Sequence, residues 1–338
     1  MKTRMMIEFF AVLVGVFALT VLILRKLIPI LRSRKIGQTI KEIGPRWHKG
    51  KEGTPVMGGL SFIFASIIGF LVIVVIALCT GRGSEIVAPA LTFGMALLNG
   101  AIGFIDDYTK LMKKQNKGLT GWQKIALQTV VAAAYVAAMA VLGFVDTKLE
   151  IPFTDLEVEL GIFYYAIAIF VIVGFVNAVN LTDGIDGLAS SVTFVVGCFY
   201  AIAAFMLSAS AGTAEDGTVA LTACVIGGCA GFLVYNFYPA RIFMGDTGSI
   251  YLGGMVSGLA FLINEPLIIC LCGIIYLIEA LSDILQVGFF KLTHGKRIFK
   301  MAPIHHHFEK CGWGEIKIVC VFSAVTLIGC VIAWFGIR

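Results

Sequence analysis

Residues 57–78, MGGLSFIFASIIGFLVIVVIAL, run for 22 positions without a charged side chain. A helix of that length matches the thickness of the hydrocarbon core and satisfies its own backbone polar groups, so the stretch reads as a membrane span. The same signature returns along the chain. Met6–Leu24, Met57–Leu78, Val87–Ile105, Gly121–Leu142, Ile162–Val179, Leu188–Leu207, Val219–Tyr235, Ser249–Ile263, Pro266–Phe289 and Ile316–Ile337 make ten apolar segments, the eighth short and glycine-rich. Composition agrees: 59% of the 338 residues are hydrophobic and 14% are charged, with a mean hydropathy of +0.93. A soluble domain uses about 25% charged residues, so most of this chain has lipid as its solvent. Disorder, collagen and coiled coil are excluded on the same grounds.

Basic residues set the orientation of such a chain. Nineteen of the 26 Lys and Arg fall in the odd-numbered loops, Arg25–Lys51, Lys110–Lys117, Arg241 and Lys291–Lys310. Five fall on the opposite side, at Lys2, Arg4, Arg82, Lys148 and Arg338, and Lys124 and Lys317 stand at helix ends. The odd loops are therefore expected in the cytoplasm and both termini outside. Residues 1–24 resemble a signal peptide in outline, but the apolar run has no small-residue cleavage site and reads as an uncleaved first span. Residues 148–160, KLEIPFTDLEVEL, alternate about a proline-containing turn, which predicts a small external β-hairpin between helices 4 and 5. The expectation is an all-α polytopic membrane protein of about ten transmembrane helices, with residues 1–338 forming one domain. Eight of the nine cysteines sit in apolar runs and none forms a CxxC pair, so neither a disulfide framework nor a zinc site is implied.

Polar clusters gather on the expected cytoplasmic side. Asp106 and Asp107 lie in GFIDDYTK (103–110), and Asn177, Asn180, Asp183 and Asp186 in NAVNLTDGIDGL (177–188). Asn236, Phe243, Asp246 and Thr247 lie in YNFYPARIFMGDTGS (235–249), and His305, His306 and His307 in APIHHHFEK (302–310). Lys49 and Lys51 precede GTPVMGG (53–59). Carboxylates at a membrane boundary are costly unless water, a cation or a basic partner compensates them. Five acids on one face repel one another unless a divalent cation neutralises them, and oxygen-only ligands suit Mg²⁺. An acid pair that simply caps a span is the plain alternative for Asp106 and Asp107. Lys110, Lys113, Lys114 and Lys117 nearby supply charge for oxyanions, which points to phosphoryl chemistry; taken singly, each lysine is better explained by topology and lipid headgroups.

The glycine-rich turns GTPVMGG and GDTGS offer backbone N–H groups to a phosphate, although glycine also serves helix packing. Phe243 suits either stacking on a planar base or anchoring at the interface. Three adjacent histidines cannot converge on one zinc ion from a regular helix, and a loop triplet beside Arg297 and Lys300 favours anion binding. Glu279 and Asp283 share a helical face that must turn toward protein or a polar groove.

The motifs GTPVMGG, GFIDDYTK, NAVNLTDGIDGL, FMGDTGS and MAPIHHHFEK, in this order and spacing, resemble those of the bacterial phospho-N-acetylmuramoyl-pentapeptide transferases. These are a branch of the polyprenyl-phosphate N-acetylhexosamine-1-phosphate transferase superfamily. The acid pair and the NxxD-type loop are superfamily features, and the HHH loop marks the branch. The resemblance covers essentially the whole chain; the one departure is Val56, where the branch reads GTPTMGG. It implies transfer of phospho-MurNAc-pentapeptide from UDP-MurNAc-pentapeptide to undecaprenyl phosphate, giving lipid I and UMP with Mg²⁺. It places the active site on the five cytoplasmic loops of a multi-pass protein in the bacterial plasma (inner) membrane. It is compatible with a homodimer and implies no nucleic-acid partner. By the same resemblance Asp246 and Asp106 would hold Mg²⁺, Asp106 would deprotonate the lipid phosphate, and Asp107 would orient the site. Asn180, Asp183, Asp186, Asn236 and Phe243 would hold the nucleotide sugar, Lys49, Lys110 and Lys114 the phosphates, and His305 and His306 the diphosphate or sugar. Direct attack by the lipid phosphate and a two-step route through a phospho-aspartate both remain open. Two rivals stand beside this reading: a sister enzyme moving GlcNAc-1-phosphate from UDP-GlcNAc to the same lipid, which the HHH loop opposes, and an ion-coupled transporter. A transporter places its acids near the midplane, often within repeats, whereas these acids collect at one face.

Overall fold

The computed structural model describes residues 2–33, 51, 53–112, 118–211 and 216–337. The described chain is helical: α1 (Lys2–Ser33), α2 (Gly59–Cys79), α3 (Val87–Met112), α4 (Gly121–Val141), α5 (Ile162–Thr182), α6 (Leu188–Ala211), α7 (Asp216–Asn236), α8 (Gly245–Leu262), α9 (Ile269–Cys272), α10 (Ile274–Leu292), α11 (Ile304–Lys310) and α12 (Glu315–Trp334). Strands β1 (Lys148–Glu150) and β2 (Glu157–Glu159), between α4 and α5, pair antiparallel with Leu149 opposite Val158. Among the described residues, eight helices are long and apolar enough to cross a membrane: α1 to α7 and α12. Residues 266–272 and α10 form a ninth candidate if counted together, but they are bent by 82°. The break falls at Gly273, where a Cβ would lie 2.6 Å from the Ile269 carbonyl oxygen.

The eighth expected segment lies in α8, whose start carries Asp246 and whose length carries many glycines. It is short and comparatively polar, yet every residue from Thr247 to Phe261 is buried. Its neighbours are α2, α3, α5, α6 and α7. Without a hydrophobic drive between helices in lipid, close packing depends on small residues that let backbones approach. A Cβ at Gly254 would meet Ala96 Cα of α3 at 2.8 Å, and one at Gly253 would meet Val176 Cα of α5 at 2.6 Å. One at Gly103 would overlap the Asp246 carbonyl. Gly103→Val is therefore expected to force α3 from α8, with an overpacking cost of about 1–3 kcal/mol. A lower unfolding temperature in detergent, together with weakened activity, is the expected observation. The outward face is the reverse of a soluble protein's: Phe64, Ile68, Leu71, Val75 and Leu78 of α2 are all exposed, as a lipid-facing surface requires.

Several helices outrun the apolar segments that announced them. α3 continues through Asp106, Asp107 and Lys110 to Met112, and α5 continues through Asn180 to Thr182. The residues of interest therefore sit on rigid helical turns rather than on loose connections. Asp106 and Lys110 become an i,i+4 pair, with Lys110 Nζ 2.6 Å from Asp106 Oδ2. α4 begins with a capping box in which Thr120 Oγ1 accepts from Gln123 N–H (3.3 Å) and Gln123 Oε1 accepts from Thr120 N–H (2.9 Å).

Candidate active site

The end of α3, the start of α4, the end of α5 and the start of α8 meet at one place. Asp107 accepts three hydrogen bonds from α8: Asp246 N–H at 3.2 Å, Thr247 N–H at 2.9 Å and the Thr247 hydroxyl at 2.7 Å. It thus caps the positive end of the buried helix, where a carboxylate is favoured. Gly245 makes the approach possible, because its φ is +73° and a Cβ would lie 2.5 Å from Asp107 Oδ2. Asp106 is 1% exposed, and its Oδ1 accepts from Leu119 N–H at 2.6 Å. Asn180 donates to Asp246 Oδ1 (3.1 Å) and to Ser249 Oγ (2.8 Å), fixing the acid's orientation. Two lysines close the cluster. Lys110 Nζ is 3.2 Å and Lys124 Nζ 3.1 Å from Asp246 Oδ2.

One oxygen from each of Asp106, Asp107 and Asp246 lies within 4.8 Å of the others. An oxygen-only trio of this kind fits Mg²⁺, which takes one or two carboxylates and completes its shell with water and phosphate. The ammonium of Lys110 already sits among the three acids, at 2.6, 3.2 and 3.9 Å, so the place demands positive charge whatever supplies it.

Asp183, just beyond α5, borders this cluster. Its carboxyl is pushed up to about 8 by burial first and then by the charges of Asp246, Asp107 and Asp186. A raised folded-state value means that the folded protein holds this proton where the unfolded chain, near the ordinary value, has released it. The resulting stability is full below about pH 4 and lost as pH rises through about 8. The unfolding temperature in detergent is expected to fall across that window, less steeply in Asp183→Asn and less steeply with added Mg²⁺.

Other residues singled out from the sequence hold the loops together. Asp186 accepts from Lys51 Nζ (2.6 Å) and from Ala240 N–H (2.8 Å), and Glu315 accepts from Lys51 (2.7 Å) and from Asp186 N–H (2.9 Å). Asn236 accepts from Gly187 N–H (3.1 Å) and donates to the Ile242 carbonyl (2.9 Å). Both side chains brace the 183–187 and 236–246 segments. The GTPVMGG turn lies against Phe243 and Met244: Gly58 N–H donates to the Phe243 carbonyl and Gly59 N–H to that of Met244. Those N–H groups, like those of Asp246 and Thr247, are engaged within the protein. Phe243 itself is half-buried. Lys49 and Lys114 lie outside the described residues.

The histidines split three ways. His305 Nδ1 lies 3.0 Å from Glu279 Oε2, and His306 Nδ1 lies 2.6 Å from Glu309 Oε2. His307 Nδ1 accepts from Lys300 N–H at 3.1 Å. The sequence reading missed Lys124 as a site residue, setting it aside as a helix-end lysine. The Thr120–Gln123 capping box was the available signal, since it starts α4 at Gly121 and puts Lys124 on the first turn, level with the acids.

A polytopic helical bundle that gathers three carboxylates and two lysines at one end of a buried helix has the make-up of a membrane-embedded enzyme acting on phosphate esters. Residues 88–264 match the glycosyl transferase family 4. The chain is 45% identical over 324 residues to phospho-N-acetylmuramoyl-pentapeptide-transferase of Clostridioides difficile (strain 630), covering 95% of this chain and 94% of that protein. It is 46% identical over 308 residues to the transferase of the same name from Clostridium perfringens (strain SM101 / Type A), covering 91% and 90%. It is 42% identical over 334 residues to that of Listeria monocytogenes serotype 4b (strain CLIP80459), covering 98% of each. The chain belongs to the phospho-N-acetylmuramoyl-pentapeptide-transferase family.

Proposed function

We propose that the chain transfers phospho-MurNAc-pentapeptide from UDP-MurNAc-pentapeptide to undecaprenyl phosphate, yielding lipid I and UMP, with Mg²⁺ as cofactor. The observation that carries this reading is the meeting of Asp106, Asp107 and Asp246 with Lys110 and Lys124 at the ends of membrane helices. A lipid-borne phosphate and a water-borne diphosphate have to meet at such a boundary. In direct transfer, an oxygen of the lipid phosphate bonds to the sugar-linked phosphorus of the donor, and the bond from that phosphorus to the bridging oxygen breaks to release UMP. Asp106 takes the proton of the lipid phosphate when it arrives protonated. Lys110 and Lys124 offset the charge gathering on the phosphate oxygens, the dominant contribution in phosphoryl transfer. Asp107 acts through α8, holding Asp246 in place. Asp106, Asp107 and Asp246 would hold Mg²⁺, which when bound supplies further neutralisation of the diphosphate.

The accompanying topology has ten spans, α8 among them, both termini outside, the β1–β2 ribbon outside and the active site in the cytoplasm of a bacterial plasma membrane. A homodimer belongs to the same reading. Cys311 is exposed at the end of α11, so a variant retaining only that cysteine should react with an impermeant maleimide in inverted vesicles and not in right-side-out ones. The donor is tested by UMP release from purified protein with undecaprenyl phosphate and either UDP-MurNAc-pentapeptide or UDP-GlcNAc. Release confined to the muramoyl donor supports the proposal; release with UDP-GlcNAc alone transfers the chain to the sister activity.

A further inference from the structure

Glu279 plays no part in the chemistry above, yet it is 0% exposed on α10, the helix that follows the sharp bend. A carboxylate in a membrane helix is retained only with a partner or a function. The partner is His305 on the first turn of α11, itself 1% exposed, whose Nδ1 lies 3.0 Å from Glu279 Oε2. The Ser282 hydroxyl donates to the Glu279 carbonyl at 2.7 Å and steadies that turn of α10. The opposite edge of the His305 ring faces the 183–187 segment: a Cβ at Gly184 would overlap His305 Nε2 and stand 2.5 Å from Cε1. His305 Nε2 and Glu279 Oε1 are buried and have no hydrogen-bond partner.

The contact joins α11 to α10, yet it leaves one ring nitrogen and one carboxylate oxygen of the pair unmatched. Here the unmatched nitrogen lies against Gly184, next to Asp183, which the family resemblance places, like His305, at the nucleotide sugar. Buried polar atoms are generally matched, and an exception at a site calls for the group that completes it. We infer that Glu279 is a positioning residue: it holds His305 with the proton on Nδ1, so that Nε2 accepts a hydrogen bond from a hydroxyl or amide N–H of the donor substrate. The sequence spacing of Glu279 and Asp283 left open which way this face turned; the contact with His305 gives Glu279 a use, as ring-orienting carboxylates have beside functional histidines elsewhere.

The inference rests on the donor-binding reading of His305, and the experiment separates the two. KM for UDP-MurNAc-pentapeptide and for undecaprenyl phosphate is measured for the wild type, Glu279→Gln, His305→Ala and the double variant. Glu279→Gln is expected to raise the donor KM by about tenfold and to leave the lipid KM within about twofold. In the His305→Ala background it should add almost nothing, because the two residues act as a unit. Additive effects, or equal effects on both substrates, would overturn the positioning role while leaving His305 as a donor contact. An unchanged donor KM in His305→Ala would remove that contact and the inference with it. If Glu279→Gln does not fold, Gly184→Ala carries the test by displacing the ring: the expected outcome is again a raised donor KM that His305→Ala does not compound. A Gly184→Ala donor KM equal to wild type would overturn the inference.

Discussion

Asp246→Ala is expected to lower transfer by roughly a thousandfold, in a protein that still inserts and still elutes as the wild type does. The carboxylate lies where both lysines converge, with Lys110 and Lys124 each about 3 Å from Oδ2. Its removal withdraws one of three oxygens proposed for the metal and leaves Lys110 and Lys124 with Asp106 as their remaining shared carboxylate. Folding is expected to survive, because α8 is capped by Asp107 through the backbone N–H groups of residues 246 and 247 and not through the Asp246 side chain. Measured UMP release beside a detergent melting curve separates the two effects. Substantial Mg²⁺-dependent release from this variant would remove Asp246 from the metal site.

The second large effect is expected at Lys124. Lys124→Met should reduce transfer by about a hundredfold, whereas Lys317→Met should stay within about twofold of wild type. Both lysines stand at helix ends, and composition gives no reason to prefer one. Their surroundings do: Lys124 Nζ is 3.1 Å from Asp246 Oδ2 and 4.0 Å from Asp106 Oδ2, while Lys317 Nζ lies 4.3 Å above the Trp313 ring. A cation over an indole is a surface contact of modest value, but a cation shared by two acids at a phosphate site offsets charge that grows during the reaction. Equal losses in the two variants would mean that general positive charge, not this placement, matters.

The membrane character of the chain was legible because it is a property of composition: segments such as 57–78 admit one solvent. The motifs are also gathered by the fold, since Asp106, Asp107, Asn180 and Asp246 meet at one end of the bundle. What local sequence withheld was pairing at a distance. Lys51 and Asp186 are 135 positions apart, and nothing in either neighbourhood says that they neutralise one another. The hydrogen bonds of Asn236 to Gly187 and Ile242 are of the same kind, invisible in its own sequence neighbourhood. The bend at Gly273 was hidden for a related reason: an apolar run scores as a span whether or not its backbone is straight. α8 shows the converse, because its glycines dilute the apolar signal while making possible the close packing that buries it.

The most direct test of the account is to follow UMP and the lipid-linked product together in purified protein supplied with UDP-MurNAc-pentapeptide, undecaprenyl phosphate and Mg²⁺. The prediction is that UMP and lipid I appear in equal amounts, and that omission of either substrate or chelation of the metal stops both. UMP formed without the lipid acceptor, or no product from folded protein with all three components present, would contradict it.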